Sequence, residues 1–258
     1  MAIDVLAPFS LADRTAIVTG ASSGLGERFA RVLHAAGATV VVAARRTERL
    51  DALAAELGER VVPVTCDVGV DNDCAALHAT ALDVGGGRID VLVNNAGTSG
   101  PIAAEDEDPA TFRHIIDVNL NGVFVLSQLC GRTMLEQGSG SIVNIASILG
   151  LVASAPITQA SYCASKGAVV NLTRELACQW ARRGVRVNAI APGWFPSEMT
   201  NDEMFGNEKS MSFLRRNCPM GRGGDEHELD GALLFLAGDA SSYVTGAVLA
   251  VDGGWLAR

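Results

Sequence analysis

The stretch "TAIVTGASSGLG", residues 15–26, decides the fold of this 258-residue chain. Its apolar start, residues 15–19, is typical of a buried strand, and Gly20, Gly24 and Gly26 follow where a helix begins. Glycines let the backbone turn tightly and approach a ligand, and the free N–H groups of a helix N-terminus attract a pyrophosphate. The spacing is GxxxGxG rather than the commoner GxGxxG fingerprint, and such a turn can also be purely structural.

Apolar runs of the same kind recur at regular intervals along the chain. They are rich in valine and isoleucine and occupy residues 15–19, 39–44, 61–66, 89–94, 141–146, 185–190 and 247–251. Segments with helical spacing lie between them, at residues 24–36, 47–57, 71–84, 109–136, 160–182 and 226–237. Strands that are apolar on both faces and alternate with helices indicate a parallel sheet covered on both sides. We therefore predict one α/β domain over residues 1–258, a Rossmann-type doubly wound parallel sheet of about seven strands with helices on both faces.

The interval 194–224 interrupts this alternation of strands and helices. Bulky apolar residues are interspersed there among polar ones: Trp194, Phe195, Met199, Met204, Phe205, Met211 and Phe213. Long insertions with an apolar face of their own are commonly lids over a site. We expect a substrate lid, the alternative being an ordinary helical excursion packed on the domain. The same side chains would suit a partly apolar substrate, unless they face the core.

Composition excludes several classes of function. The formal net charge of −9 repels a phosphate backbone, so nucleic acid is not an expected partner. The six cysteines form no CxxC pair and no zinc or disulfide spacing, and the four histidines are scattered, so we expect free thiols and no metal site. The sequence begins without a signal-peptide pattern and contains no apolar run long enough to cross a membrane. We expect a cytoplasmic protein.

The end of the second predicted strand bears on cofactor choice. In a dinucleotide-binding domain, an acidic side chain there accepts hydrogen bonds from the ribose hydroxyls and repels a 2′-phosphate. This chain has Ala43 and Ala44 at that point, followed by Arg45 and Arg46. Because a guanidinium group suits a phosphate, NADP(H) is favoured and NAD(H) is the alternative. Both arginines could also be solvated residues at a helix start.

Residues 161–170, "SYCASKGAVV", place Tyr162 and Lys166 four positions apart. On a helix, this offset brings both side chains to one face. A tyrosine with an ordinary pKa of about 10 is a poor base at neutral pH, and an adjacent ammonium would favour its phenolate. The pair is therefore a candidate proton donor with a fixed positive charge beside it. Taken alone, a tyrosine and a lysine at this spacing more often cover a helix flank.

Seven short motifs occur in an order that resembles the short-chain dehydrogenase/reductase family over essentially the whole chain. They are "TGASSGLG" (19–26), "CDV" (66–68), "NNAG" (94–97), "VNLNG" (118–122), "NIAS" (144–147), "YCASK" (162–166) and "APGWFPSEM" (191–199). The spacing from Ser147 to Tyr162 is slightly longer than the family pattern, and this segment is expected to line the substrate pocket.

The resemblance implies roles for individual residues. Tyr162 would be the general acid/base, Lys166 the ribose-binding group that lowers the tyrosine pKa, Ser147 the group that orients the carbonyl, and Asn119 the residue that holds a proton-relay water. Asp67 would bond the adenine, and Phe195 and Ser197 would contact the nicotinamide. The full implied cofactor set is Gly20, Ser22, Ser23, Gly24, Leu25, Gly26, Arg45, Arg46, Asp67, Val68, Asn94, Ala96, Gly97, Tyr162, Lys166, Pro192, Gly193, Phe195 and Ser197.

The function expected from these residues is an NADP-dependent oxidoreductase that interconverts a ketone and a secondary alcohol of a small-molecule substrate. One alternative is an NAD-dependent sugar or polyol dehydrogenase, and another, from a different class, is a non-catalytic dinucleotide-binding sensor. A sensor has no reason to keep the Ser, Tyr, Lys and Asn set, which argues against it. The resemblance also implies a homo-oligomer, a tetramer or a dimer.

Overall fold

The computed structural model describes residues 3–154, 157–198, 200, 205–206 and 208–257. The strands are β1 (Thr15–Thr19), β2 (Thr39–Ala44), β3 (Val61–Thr65), β4 (Val91–Asn94), β5 (Gly140–Ile145), β6 (Val185–Pro192) and β7 (Val248–Val251). The α-helices are α1 (Gly24–Ala35), α2 (Thr47–Leu57), α3 (Asp71–Val84), α4 (Pro109–Ile116), α5 (Gly122–Gln137), α6 (Ala160–Trp180), α7 (Glu208–Asn217) and α8 (Asp230–Ala237). Each predicted strand is present to within two residues at either end.

Within the described residues, the strands form one sheet in the order β3-β2-β1-β4-β5-β6-β7, and every neighbouring pair is parallel. The chain leaves β1 toward β2 and β3, then returns to place β4 on the other side of β1. The strand order therefore reverses between β1 and β4. In an open α/β sheet, the carboxyl ends of the strands beside such a switch point form the ligand crevice.

The sheet is apolar on both faces because alternate residues of each strand enter different cores. In β1, Ala16 and Val18 pack with Phe29 of α1 and Leu233 of α8, whereas Ile17 packs on the other face with residues of α3 and α5. Helices therefore cover both faces, as side-chain alternation in a fully buried strand requires. The prediction of a doubly wound parallel sheet with helices on both faces is confirmed.

The segment predicted as one helix over residues 109–136 is interrupted. A π-helical turn, Asp117–Asn121, separates α4 from α5. Asn119 lies in this turn and is fully buried, and its side-chain amide pairs with both the N–H and the carbonyl of Thr98 at 2.8 Å. Single π turns inside helices occur frequently at functional sites. The turn is held by a tertiary contact, the pair of hydrogen bonds between Asn119 and Thr98 in another loop. Helical periodicity in the sequence does not report such a contact.

The interval 194–224 contains α7, which the sequence pattern did not separate from its surroundings. Met199 and Met204 of this interval lie outside the described residues. In the part of the chain that the structure describes, no helix combines the length and the apolar character that crossing a bilayer requires.

Candidate active site

The carboxyl ends of the central strands open into a cavity of about 470 Å³. This volume lies in the range of cofactor and small-molecule sites, roughly 300–1,000 Å³. Most of the predicted residues line it: Gly20, Ser22, Ser23, Gly24, Leu25, Gly26, Arg45, Arg46, Asp67, Val68, Ala96, Gly97, Ser147, Tyr162, Lys166, Pro192, Gly193, Phe195 and Ser197. The fold thus collects residues that are up to about 180 positions apart in sequence around one space.

The glycine-rich turn is built by close backbone packing. Gly20 has a φ of +68°, and the hydroxyl of Thr19 accepts hydrogen bonds from the N–H groups of Asn95 and Ala96, each at 3.0 Å. A Cβ on Gly26 would lie 2.2 Å from the carbonyl oxygen of Gly20. Two of the glycines therefore let the loops after β1 and β4 meet. This contact leaves the N-terminus of α1 facing the cavity, where it can accept a pyrophosphate.

Arginine side chains stand at the end of β2, as the sequence predicts. Arg46 donates from Nε to the hydroxyl of Ser22 at 3.1 Å and from a terminal nitrogen to the hydroxyl of Ser23 at 2.7 Å. Arg45 is exposed, and its guanidinium lies 3.9 Å from the carboxylate of Asp67. Two guanidinium groups and two hydroxyls thus converge at the point where a ribose 2′-substituent is expected, a donor set suited to phosphate.

Lys166 is buried beneath the cavity. It lies one helical turn after Tyr162 in α6, and its Nζ donates to the carbonyl of Ile145 at 2.7 Å, at the end of β5. Burial lowers the pKa of Lys166 from its ordinary value of 10.5 to about 8. Nζ lies 5.7 Å from the centre of the Tyr162 ring, so the ammonium stands beside the phenol. The four-residue offset is therefore a spatial pair and not merely a helix flank.

Ser147 lies at the other side of the reacting region. Its hydroxyl accepts a hydrogen bond from the N–H of Leu149 at 3.1 Å, which leaves the hydroxyl hydrogen to be directed at a substrate oxygen. A smaller cavity of about 50 Å³ adjoins the larger one there, since Ser147 and Tyr162 line both. Ile148, Leu149 and Gln159 also line the smaller cavity. The segment between the serine and the tyrosine thus contributes to this space, as expected.

Two predicted residues do not line the cavity. Asn119 pairs with Thr98 and donates to the hydroxyl of Ser165 at 3.0 Å, directly below the cavity floor at Gly97. Asn94 is buried between β4 and β5, where its amide donates to the side chains of Ser127 and Asn144. Both side chains support the lining and have little access to a ligand.

Other residues that the sequence did not assign as catalytic or cofactor-binding also line the two cavities: Asn95, Thr98, Ser99, His114, Val118, Gln159, Trp194, Glu198 and Thr200. Asn95 stands inside the "NNAG" motif, and Trp194 and Glu198 stand inside "APGWFPSEM", so the motifs marked their places but not their roles. Gln159 and His114 belong to no motif, and only the tertiary structure brings them here.

The aromatic residues of the 194–224 interval largely enter packing. Trp194 and Trp255 meet edge to face with ring centres 5.8 Å apart, and the ring of Phe213 lies 6.0 Å from that of Trp255. Phe195 belongs to the core cluster that includes Leu229. The apolar character of this interval is therefore explained by a small core beside the site.

Comparison with known proteins identifies the class. A family model described as Enoyl-(Acyl carrier protein) reductase, of the short-chain dehydrogenase/reductase family, matches residues 20–256. Galactitol 2-dehydrogenase (L-tagatose-forming) of Cereibacter sphaeroides is 42% identical, covering 98% of this chain and 99% of that one. Gluconate 5-dehydrogenase of Gluconobacter oxydans is 39% identical over 95% of this chain and 96% of its own length.

A solved structure, that of a gluconate 5-dehydrogenase from Burkholderia cenocepacia in complex with NADP and tartrate, superposes with a TM-score of 0.93 at 36% identity, covering 99% of this chain and 100% of that one. The chain belongs to the short-chain dehydrogenase/reductase family. It is an NAD(P)-dependent oxidoreductase that interconverts a ketone and a secondary alcohol.

Proposed function

We propose that this enzyme uses NADP(H) to interconvert a neutral polyol and its ketose, with Tyr162 as general acid/base. The observation that carries the proposal is the convergence of Tyr162, Lys166 and Ser147 where the large cavity meets the small one. The large cavity fits a dinucleotide, since glycines form its floor and arginine and serine donors stand at one end.

The bound cofactor would supply or accept the hydride, and the protein would place the reacting carbon and move the proton. In reduction, the phenol of Tyr162 donates its proton to the carbonyl oxygen, and Ser147 holds the same oxygen by a hydrogen bond. In oxidation, the phenolate takes the proton of the alcohol. Lys166 stabilises the phenolate by its charge.

The role of Asn119 follows from its bonds. Its side-chain oxygen and nitrogen are both engaged by the backbone of Thr98, so the amide positions the loop after β4 against the π turn. We assign Asn119 as a positioning residue.

Arg45 and Arg46 support the preference for NADP(H). The end of β2 has alanines where a ribose-binding acid would stand, and the Arg46 guanidinium is anchored by Ser22 and Ser23. The Burkholderia cenocepacia relative was solved with NADP. NAD(H) remains the competing cofactor, and parallel titrations with NADPH and NADH measure the preference.

The small cavity supports a neutral, hydroxyl-bearing substrate. Among its described lining residues, hydroxyl and amide groups come from Ser99, Ser147, Gln159, Tyr162 and Thr200, and none of these lining side chains carries a formal charge. A carboxylate placed there would lose its hydration without a partner ion, at a cost of several kcal/mol. Of the relatives above, one is a galactitol dehydrogenase and two are gluconate dehydrogenases, and the uncharged lining favours the first type of substrate.

The test compares galactitol and related polyols with gluconate, following cofactor absorbance. Turnover of the neutral polyols, with gluconate much slower, is expected, and the reverse order would contradict the assignment of a neutral substrate. Tyr162→Phe should lower turnover about 10²–10⁴-fold while NADPH binding is retained. The chain's other tyrosine, exposed Tyr243, supplies the control, because Tyr243→Phe should leave turnover unchanged. Retained turnover in Tyr162→Phe would contradict the assigned role.

We further propose a cytoplasmic homo-oligomer, a dimer or tetramer, in which residues 194–224 act as a substrate lid. The exposed aromatic side chains of Phe112 on α4 and Phe124 on α5 support an interface on these helices. Free thiols at all six cysteines suit a reducing compartment. Light scattering of the wild type and Phe124→Glu tests the assembly, since a wild-type monomer would contradict it.

A further inference from the structure

Glu198 joins two parts of the enzyme that the sequence separates by about 150 positions. Its carboxylate accepts a hydrogen bond from Arg49 at 2.5 Å through one oxygen, and the other oxygen forms an ion pair with a terminal nitrogen of Arg46 at 2.9 Å. Glu198 follows β6, whereas Arg46 and Arg49 lie at the start of α2. Glu198 also lines the cofactor cavity. The clamp, as we call the cluster of Glu198, Arg46 and Arg49, therefore lies at the edge of the site.

The carboxylate is bound to the same guanidinium that faces the two loop serines. Arg46 donates to Ser22 and Ser23 through Nε and one terminal nitrogen, and its other terminal nitrogen faces Glu198. Arg49, which donates to the carboxylate, and then Arg46 and Ser23 beside it keep the pKa of Glu198 below its ordinary value. The carboxylate is therefore charged throughout the neutral range.

We propose that Glu198 determines cofactor specificity, because its carboxylate competes with the 2′-phosphate for Arg46. This inference rests on the proposed use of NADP(H). The end of β2 has no acidic residue that could bind a ribose hydroxyl. Glu198, from the segment after β6, brings a carboxylate to the same end of the site. A phosphate that binds Arg46 must displace the carboxylate or lie beside it, and two anions in contact repel each other. A 2′-hydroxyl is uncharged, so the carboxylate does not repel it, and it can donate a hydrogen bond to the same carboxylate.

The size of the effect follows from exposure. The three side chains of the clamp are about half exposed, with values of 42%, 52% and 52%. Half-exposed ion pairs contribute little, so releasing Arg46 should strengthen binding of a 2′-phosphate about fivefold. Binding of a nucleotide that carries a 2′-hydroxyl should not become tighter.

The experiment measures the binding of adenosine 2′,5′-bisphosphate and of 5′-AMP to the wild type and to Glu198→Gln by calorimetry. These probes carry only the adenosine end of the cofactor, so neither catalysis nor substrate enters the result. We expect Glu198→Gln to bind the bisphosphate about fivefold more tightly and 5′-AMP no more tightly. In kinetics, the preference for NADPH over NADH should rise by the same factor.

Glu208→Gln is the matched control. It removes the same charge from an exposed glutamate paired with an arginine, Arg215 at 2.6 Å, outside both cavities, and should change neither affinity. Unchanged or weaker binding of the bisphosphate by Glu198→Gln would overturn the inference, because Glu198 would then merely hold Arg46 in place. A wild type that binds both probes equally would instead refute the proposed NADP(H) preference itself.

Discussion

Replacing Lys166 by methionine tests the main electrostatic feature of the site. Burial lowers the pKa of the Lys166 ammonium from 10.5 to about 8, so the fold disfavours its charged form. Between these two values, the unfolded chain binds the proton that the folded chain releases. With about 1.4 kcal/mol for each factor of ten, the folded, cofactor-free protein carries a penalty of about 3 kcal/mol at pH 7.

Methionine has a similar length and no charge, so the substitution removes this penalty. It also removes the 2.7 Å hydrogen bond from the ammonium to the carbonyl of Ile145, at a cost of about 1.5 kcal/mol. The variant should therefore be more stable than the wild type by about 1.5 kcal/mol at pH 7 without cofactor. This advantage should shrink as the pH rises through 8 toward 10.5, since the wild-type lysine becomes neutral in both states.

The assay is urea denaturation followed by tryptophan fluorescence at several pH values from 7 to 10, at one protein concentration. The chain contains two lysines, and the other, Lys209, is exposed on α7, so Lys209→Met is the control. A stability difference between Lys166→Met and the wild type that stays constant over this pH range would refute the reasoning. If Lys209→Met showed the same pH dependence of stability, the burial of Lys166 would not be its cause.

Three further substitutions have defined outcomes. Gly26→Ala should destabilise the fold by about 3 kcal/mol or more in thermal denaturation, because its Cβ would meet a backbone oxygen at 2.2 Å, whereas Gly231→Ala, whose Cβ meets nothing within 4 Å, should be neutral or slightly stabilising. Asn119→Ala loses its bonds to Thr98 and Ser165 and should cost about 1–3 kcal/mol in urea denaturation, with exposed Asn121→Ala in the same turn as control. Arg45→Ala should weaken NADPH binding and leave NADH binding unchanged in fluorescence titration, and an unchanged NADPH affinity would argue against phosphate binding by Arg45.

Much of the fold is predictable because buried parallel strands are encoded locally. Each strand is a short run rich in valine and isoleucine, and such a run must pair on both edges and be covered on both faces. The prediction was weakest where a contact from another loop acts on a regular element. The π turn at Asn119 and the boundaries of α7 depend on such contacts, and periodicity does not report them.

In the candidate site, too, features encoded locally were predictable and features that depend on distant contacts were not. Tyr162 and Lys166 share one helix, so their proximity follows from a four-residue offset. The environment of Asn94 was not predictable, since its motif places it beside the cofactor, whereas in the folded chain its side chain donates to Asn144 in the next strand. The pairing of Glu198 with Arg46 and Arg49 was not predictable either, because these residues are about 150 positions apart in the sequence.

The sequence by itself determined the parallel sheet, the glycine turn, the arginines at the end of β2 and the spacing of the tyrosine and lysine. These features are local, since each depends on the chemistry of residues within one or two turns of chain. Only the tertiary structure decided that Lys166 is buried enough to titrate near pH 8 and that Glu198 reaches Arg46 and Arg49. Burial and long-range ion pairs depend on which distant segments pack together, and that information is distributed over the whole chain.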